Sequence, residues 1–405
     1  MKPRRLARVL WALAAAVFVL VLLKSFVADV YRVDSGSMRP TLFGGRERPD
    51  SEEESEDVLV LYDRDFRPQR FDLVVIRSSD GSEPLVKRVC GLPKESVLVH
   101  EGDLFIDGQR LPADAPRPAP VPVYDDRYFD AERLFEYRRD GSVKRADGEW
   151  VIEGGAVAPG SLVRFHPDLR DDYLDSRHQR VLGSREVNDA VLELEFMLEG
   201  PLVAQRLHFQ LVEAGDTFEV VLAAGAEGLT LRLVRRNPRT MTATPDPTTG
   251  EVPPRELELA SRPVPLAAGK WYALHFANID NHLILRVPAL ALEVVESYAE
   301  NVPLRDDLPA GMKSVGSRVA FGVEAGRARF RAVRILRDLF YTEDGTFGTR
   351  SALTLGPDEY FLLGDNSSAS TDSRLFGQVD ATRFIGRPLA VVWPSPRWLA
   401  GAQKP

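Results

Sequence analysis

The chain has 405 residues, with 52 Lys+Arg against 60 Asp+Glu and a formal charge of −8. That balance disfavours a general nucleic-acid binder, whose surface should be basic. Hydrophobic residues at 44% and charged residues at 28% exclude a wholly disordered chain and allow two or three globular domains.

A single cysteine, Cys90, excludes an internal disulfide framework and a multi-cysteine metal site. The six histidines (100, 166, 178, 208, 275 and 282) form no HExxH or HxH pair, so spacing offers no histidine metal centre.

Residues 1–8 hold Lys2, Arg4, Arg5 and Arg8 and no acid, and read as a cytoplasmic tail. Val9–Leu23 is an unbroken apolar run. Fifteen helical residues span about 22 Å, short of a hydrocarbon core of about 30 Å. Extending the helix to Val30, with Lys24 snorkelling, predicts a transmembrane anchor over 9–30. A cleaved secretory signal has the same layout, but no A-x-A site follows, and Lys24, Phe26 and Val27 stand where small neutral residues belong. Positive charge stays in the cytoplasm. The expected placement is therefore single-pass in the cell membrane, N-terminus inside and the remainder outside.

A short motif-bearing segment follows at 31–45, then an acidic run, Asp50–Asp57, expected as a solvated loop. Strand patterns succeed one another: VLVLY (58–62), DLVVIR (72–77), LVKRV (85–89), SVLVH (96–100) and DLFIDG (103–108). Together, 31–112 form the first part of a β core. Residues 113–149, rich in Pro, Asp and Arg, read as a linker. Residues 150–341 alternate apolar and polar positions, as in Leu192/Leu194/Phe196/Leu198 against Glu193/Glu195, and predict an inserted β-sandwich. Asp280-Asn281 is expected to shape a hairpin turn rather than bind calcium. Strand patterns resume within 346–397, at Tyr360–Leu363 and Pro388–Trp393. The fold class expected is mainly β, with an N-terminal transmembrane helix and a β core split by a sandwich.

Three stretches carry chemistry: Asp34-Ser-Gly-Ser-Met-Arg-Pro-Thr-Leu42, Val86-Lys-Arg-Val-Cys-Gly-Leu-Pro93 and Gly364-Asp-Asn-Ser-Ser-Ala-Ser-Thr-Asp-Ser-Arg374. Each alone reads equally as a polar turn or a wet strand end. In this order, with these neighbours, they resemble type I signal peptidases, membrane-bound Ser/Lys endopeptidases that remove export signal peptides.

The resemblance implies Ser37 as nucleophile and Lys87 as general base, with no metal or cofactor. It implies Ser35 as an oxyanion donor beside the Ser37 N–H, and Ser370 as the hydroxyl that orients the base. Asp365 matches the acid that steadies Arg88, and Asp372 with Arg374 a second ion pair. Val33, Met38, Leu42, Leu85 and Val86 fall where the family lines shallow pockets for small substrate residues. Secretory preproteins are the implied partners, along with membrane lipid, and substrate binding by strand addition is implied too.

The chemistry suits these roles. A lysine works as a base near neutrality only when its pKa falls by about three units, and apolar burial lowers it. If Lys87 lies on a strand, Arg88 points to the opposite face. The sequence departs from the family at Lys94-Glu95, and at Ser367-Ser-Ala-Ser370, where the family carries more charge.

The sandwich pattern is similar to concanavalin-like jelly rolls, which puts a glycan or protein ligand within reach by analogy. Trp271, Tyr272 and His275 are the candidates for a sugar site, with packing of the sandwich as the alternative. Two other classes share parts of the pattern. A glycan receptor with an inert core is opposed by the intact Ser37 and Lys87. Another Ser/Lys peptidase, a pilus-processing enzyme or a self-cleaving repressor, stays open, although a repressor should carry a DNA-binding unit and no anchor.

Overall fold

The computed structural model describes residues 27–46, 53–62, 66–78, 81, 83–155, 161–213, 216–225, 228–236, 256–298 and 318–399, with positions 11, 14, 18 and 24. The chain is mainly β and divides into two compact units, one of Met1–Ala119 with Phe340–Pro405, the other of Pro120–Leu339.

The expected tail and most of the anchor lie outside the described residues. Positions 11, 14, 18 and 24 are helical and exposed, and among the described residues no helix is long and apolar enough to cross a membrane. The anchor's expected end at Val30 is corrected. Ala28–Val33 is a strand, registered antiparallel from Ala28↔Leu61 to Val33↔Glu56. Its backbone groups bond to the VLVLY strand, so residues 28–30 belong to the sheet. The acidic run is corrected likewise: Glu53–Tyr62 is one strand, and its first residues pair with Gly44–Arg46.

The split unit is built on an antiparallel sheet in the order Ala28–Val33, Glu53–Tyr62, Phe384–Trp393, Leu73–Ile76, Leu85–Gly91, Glu359–Leu363, Val379–Asp380. Leu73-Val-Val-Ile76 is apolar at every position because both faces of that strand are buried. Leu73 and Val75 pack with Val33, Met38, Leu42, Val58 and Val60 on one side. Val74 and Ile76 pack with Val89, Tyr360, Leu362 and Val379 on the other. A smaller four-stranded sheet joins Ser96–His100, Asp103–Ile106, Gln109–Arg110 and Leu353–Thr354. Its Asp107-Gly108 turn has positive φ at both positions, as a tight two-residue hairpin requires.

The other unit is a jelly-roll-like sandwich organised around one strand of twenty residues, Arg318–Arg337. Residues 318–325 pair with Arg206–Glu213, and 326–337 pair mainly with Ala190–Glu199 and Glu149–Gly154. The strand changes partners at Gly326, whose φ is +85° and where a Cβ would sit 2.4 Å from Gln205 Oε1. Only glycine fits there. Between the layers lies an aromatic core that includes Tyr124, Phe135, Trp150, Phe165, Phe196, Phe209, Phe321 and Phe330. Asp280 and Asn281 both have positive φ and close the hairpin between Trp271–Ile279 and His282–Val287.

The segment 113–149 carries more than a linker. Val121–Asp125, Phe135–Glu136 and Val143–Ala146 are strands that pair within the sandwich. Its prolines suggested extended chain, but Val123, Tyr124, Phe135 and Val143 supply core contacts between them.

Candidate active site

Ser37 sits in a single 3-10 turn, Gly36–Met38, directly after the Ala28–Val33 strand. Two bonds from Asn366 hold the turn: its N–H donates to the Ser37 carbonyl and its Nδ2 to the Gly36 carbonyl, both at 3.0 Å. Buried Arg39 cross-links the next loop, donating to the carbonyls of Gly44 and Gly45 at 3.0 and 2.9 Å.

Lys87 projects from the Leu85–Gly91 strand, flanked by Leu73–Ile76 with Val74 opposite it. Its side chain is 2% exposed. Nζ lies 2.8 Å from Ser37 Oγ and 3.2 Å from Ser370 Oγ. Three residues separated by 50 and 283 positions therefore share one point. Gly364 makes the approach possible, since a Cβ there would fall 2.2 Å from Ser370 Oγ and 2.6 Å from the Ser37 carbonyl oxygen.

Burial lowers the Lys87 ammonium to about 8, because a charge away from water is disfavoured. Asp372 and Asp365 pull the other way and Arg374 assists the lowering, and burial outweighs them. The amine is thus partly neutral near pH 8 while it touches a hydroxyl. Ser35 Oγ lies 3.3 Å from Ser37 Oγ. Cys90 is no rival nucleophile, since burial pushes its thiol up to about 12.

On the other side of the strand, Arg88 makes a two-pronged bond to Asp365, Nε to Oδ1 at 2.7 Å and Nη2 to Oδ2 at 2.6 Å. It also donates to the Phe71 carbonyl at 2.7 Å, and Thr41 Oγ1 donates to the same Asp365. Arg374 grips Asp372 through Nε and Nη2 at 2.9 and 2.7 Å. It donates as well to the carbonyls of Thr342 and Ser367 at 2.8 and 2.7 Å. Asp372 in turn accepts from the Gly364 N–H at 3.0 Å. The two pairs pin both ends of the 364–374 loop, which carries Ser370 to Lys87.

A cavity of about 190 Å³ opens at Ser37. Val33, Met38, Leu85 and Val86 give it apolar walls, with Ser35, Pro84, Arg32, Asp34 and Glu83 completing the lining. Leu42 is not among them. It is fully buried with Val58 and Val60 beneath Met38, so it supports the wall instead of forming it. Ala28–Val33 is an end strand of its sheet. Pairing of Leu85–Gly91 with Glu359–Leu363 starts only at Arg88, which leaves 85–87 partnered on one side among the described residues.

A family model described as signal peptidase, peptidase S26, matches residues 6–192 and 330–393. The chain belongs to this family. Signal peptidase I P of Bacillus subtilis subsp. natto is 32% identical over 187 residues, 46% of this chain and 85% of the relative. Probable signal peptidase I-2 of a Synechocystis strain is 26% identical over 151 residues, 35% of this chain, which spans 57% of that relative's length. For signal peptidase I of Pseudomonas fluorescens the figures are 30% over 174 residues, 40% and 58%. Among solved structures, the carbohydrate-binding module CBM66 from Bacillus subtilis is 10% identical at TM-score 0.30, covering 50% of this chain and 94% of its own. The carbohydrate recognition domain of Emp46p is 12% identical at TM-score 0.32, covering 56% and 98%. That overlap is too slight to bear on function.

The motifs contain Ser37, Lys87, the 364–374 loop and both bracing pairs, Arg88–Asp365 and Asp372–Arg374, and the structure brings these residues together. The structure adds contacts from Thr41, Thr342, Asn366 and Ser367, to which the sequence assigns no role. Of the sugar-site candidates, Tyr272 is core, 2% exposed, with its ring 5.8 Å from that of Phe196 and tilted 31° to it. Trp271 stacks under Arg331 at 4.0 Å, and His275 bonds Glu193 at 3.1 Å.

Proposed function

We propose that this chain is a membrane-anchored serine endopeptidase that cleaves N-terminal signal peptides from exported preproteins, with Ser37 as nucleophile and Lys87 as general base. The observation that carries the reading is the 2.8 Å contact between a buried lysine amine, lowered to about 8, and the Ser37 hydroxyl. Neutral Lys87 takes the hydroxyl proton as Ser37 Oγ attacks the scissile carbonyl carbon. The oxyanion is met by the Ser37 N–H and the Ser35 hydroxyl, a contribution of about 3–4 kcal/mol per well-placed donor. Protonated Lys87 then donates to the leaving amine. Water, deprotonated by the same lysine, hydrolyses the acyl-enzyme.

The substrate strand adds to the free edges beside the cavity, main-chain bonds giving affinity and the shallow apolar walls selecting small side chains. The N-terminal apolar run supports the anchor: Trp11 and Phe18 are 78% and 63% exposed, as lipid-facing residues would be. With the positive residues inside, the active unit lies on the outer face of the cell membrane. The sandwich is an accessory module for a glycan or protein ligand.

The test is cleavage of a model preprotein with Ala at −3 and −1, comparing wild type, Ser37→Ala and Lys87→Ala in liposomes. Cleavage at the junction, lost in both variants, is the expected result. Failure of wild type on several such substrates would remove the peptidase reading. Cleavage by Lys87→Ala at a similar rate would remove the base assignment alone.

A further inference from the structure

We infer that Glu83 is a specificity-determining residue, selecting substrates that carry a cationic side chain close to the scissile bond. The inference rests on the peptidase reading and deepens it. The cavity at Ser37 is walled by apolar side chains and has three charged residues in its lining, Arg32, Asp34 and Glu83. Two of them answer each other. Arg32 Nε lies 3.4 Å from Asp34 Oδ1, and Arg32 Nη2 donates to Ser55 Oγ at 2.7 Å. Glu83 has no ion pair or side-chain hydrogen bond among the described residues. The uncompensated charge in the cavity lining is therefore one carboxylate.

Its placement is set by the chain. Glu83 precedes Pro84, which disfavours the helical conformation at Glu83 and feeds the segment into the Leu85–Gly91 strand that bears Lys87. A peptide laid along the free edge of residues 85–87 passes this carboxylate. An ammonium or guanidinium on that peptide gains a partner, and a carboxylate is repelled. Glu83 is exposed, so the attraction acts through water and acts mainly on capture of the substrate. Salt weakens it, because exposed charges are screened within about 10 Å at 0.1 M.

The experiment uses the full chain in liposomes and a preprotein with Ala at −3 and −1. Lys, Gln or Glu is placed in turn at each other position from −5 to +3. Each kcat/KM is divided by that of the neutral Gln substrate. Wild type is expected to favour Lys over Glu by about three- to tenfold at one or two adjacent positions, the scale of an exposed charge pair. Glu83→Gln should flatten that preference, Glu83→Lys should reverse it, and 0.5 M NaCl should erase it. A charge profile that is the same in wild type and Glu83→Lys overturns the inference while the peptidase reading stands. A preference that survives high salt also overturns it, since size and not charge would then be selected. If wild type cuts no Ala-bearing parent, the peptidase reading itself has failed and Glu83 has no substrate to select.

Discussion

Arginine–carboxylate pairs serve both units, in opposite settings. In the split unit the partners of Arg88–Asp365 are 5% and 0% exposed, and those of Arg374–Asp372 are 1% and 0% exposed. On the outer face of the sandwich, Arg331–Glu195 leaves 40% and 37% of the two side chains in water, and Arg334–Glu193 leaves 36% and 30%. The distances are alike at 2.6–2.7 Å, so geometry does not separate them. Burial does. A buried pair gains little over an apolar pair of the same shape but is costly to break, because one desolvated charge is left behind. An exposed pair is rehydrated when broken. The first kind fixes a loop in one position; the second covers a sheet face.

The largest expected effect lies at the buried lysine itself. Lys87→Arg keeps the charge and most of the volume, yet a guanidinium does not give up its proton near neutrality. Cleavage should fall by about 10⁴-fold or more, the scale seen when a base is removed from such a unit. In wild type, kcat/KM should rise with pH and level off above about 8, because only the neutral amine takes the Ser37 proton. A flat profile from pH 6 to 9 would assign the proton to another group.

Next come the braces. Arg88→Ala leaves Asp365 buried without its two-pronged partner and should cost about 3–5 kcal/mol of stability, read by denaturant unfolding. A loss under 1 kcal/mol would show that water reaches Asp365 freely. Lys87→Met tests the same burial with the opposite sign. The folded pKa near 8 lies below the ordinary value of 10.5, so folding pays to bury an ammonium below pH 8, and that penalty fades as pH rises to about 10.5. The gap corresponds to roughly 3 kcal/mol. Lys87→Met should therefore be the more stable protein at pH 6.5, by up to about that amount, and the advantage should shrink by pH 10. Equal stability of the two at pH 6.5 would contradict the lowered pKa.

Ser370→Ala removes one of two hydroxyls on Lys87 Nζ while leaving the dyad in place. A base held less firmly should slow cleavage by about 10- to 100-fold, with KM little changed. A rise in KM at constant kcat would make Ser370 a substrate-binding group instead.

These residues differ in how far the sequence discloses them. Ser37, Lys87 and Ser370 stand inside dense motifs, and strand alternation alone sends Lys87 and Arg88 to opposite faces. Gly364 carries a backbone requirement that only the close approach of Ser370 and Ser37 reveals. Thr41 and Thr342 are single hydroxyls whose value comes from partners far along the chain, Asp365 and Arg374. The sandwich was legible where strands are half exposed, as in Ala190–Glu199. It was illegible over 113–149, where the strands are short and find their partners at 334–337, 164–165 and 149–152. Leu42 was placed in the pocket by motif position, whereas its side chain turns to the sheet core, a direction the motif does not carry. The anchor's end differs because the span was extended to Val30 to reach the bilayer thickness, whereas residues 28–30, with the charged Asp29 among them, pair with Leu59–Leu61.

The smallest expected effect closes the comparison at the exposed end. Glu195→Gln keeps the shape of the side chain and removes its charge, leaving Arg331 at 40% exposure with water and with the face of Trp271 at 4.0 Å. Exposed pairs contribute about 0.2–1 kcal/mol, and a cation over an indole about 0.5–1 kcal/mol at exposed sites. Because the arginine retains the second contact, the variant should lose less than about 1 kcal/mol by thermal unfolding. The loss should shrink further at 0.5 M NaCl, and preprotein cleavage should not change. A loss of 3 kcal/mol, the scale of the Arg88 pair, would mean that the outer sheet face is desolvated in the working protein. The ladder would then be an interface and not a wet surface, and the contrast between the two sets of pairs would disappear.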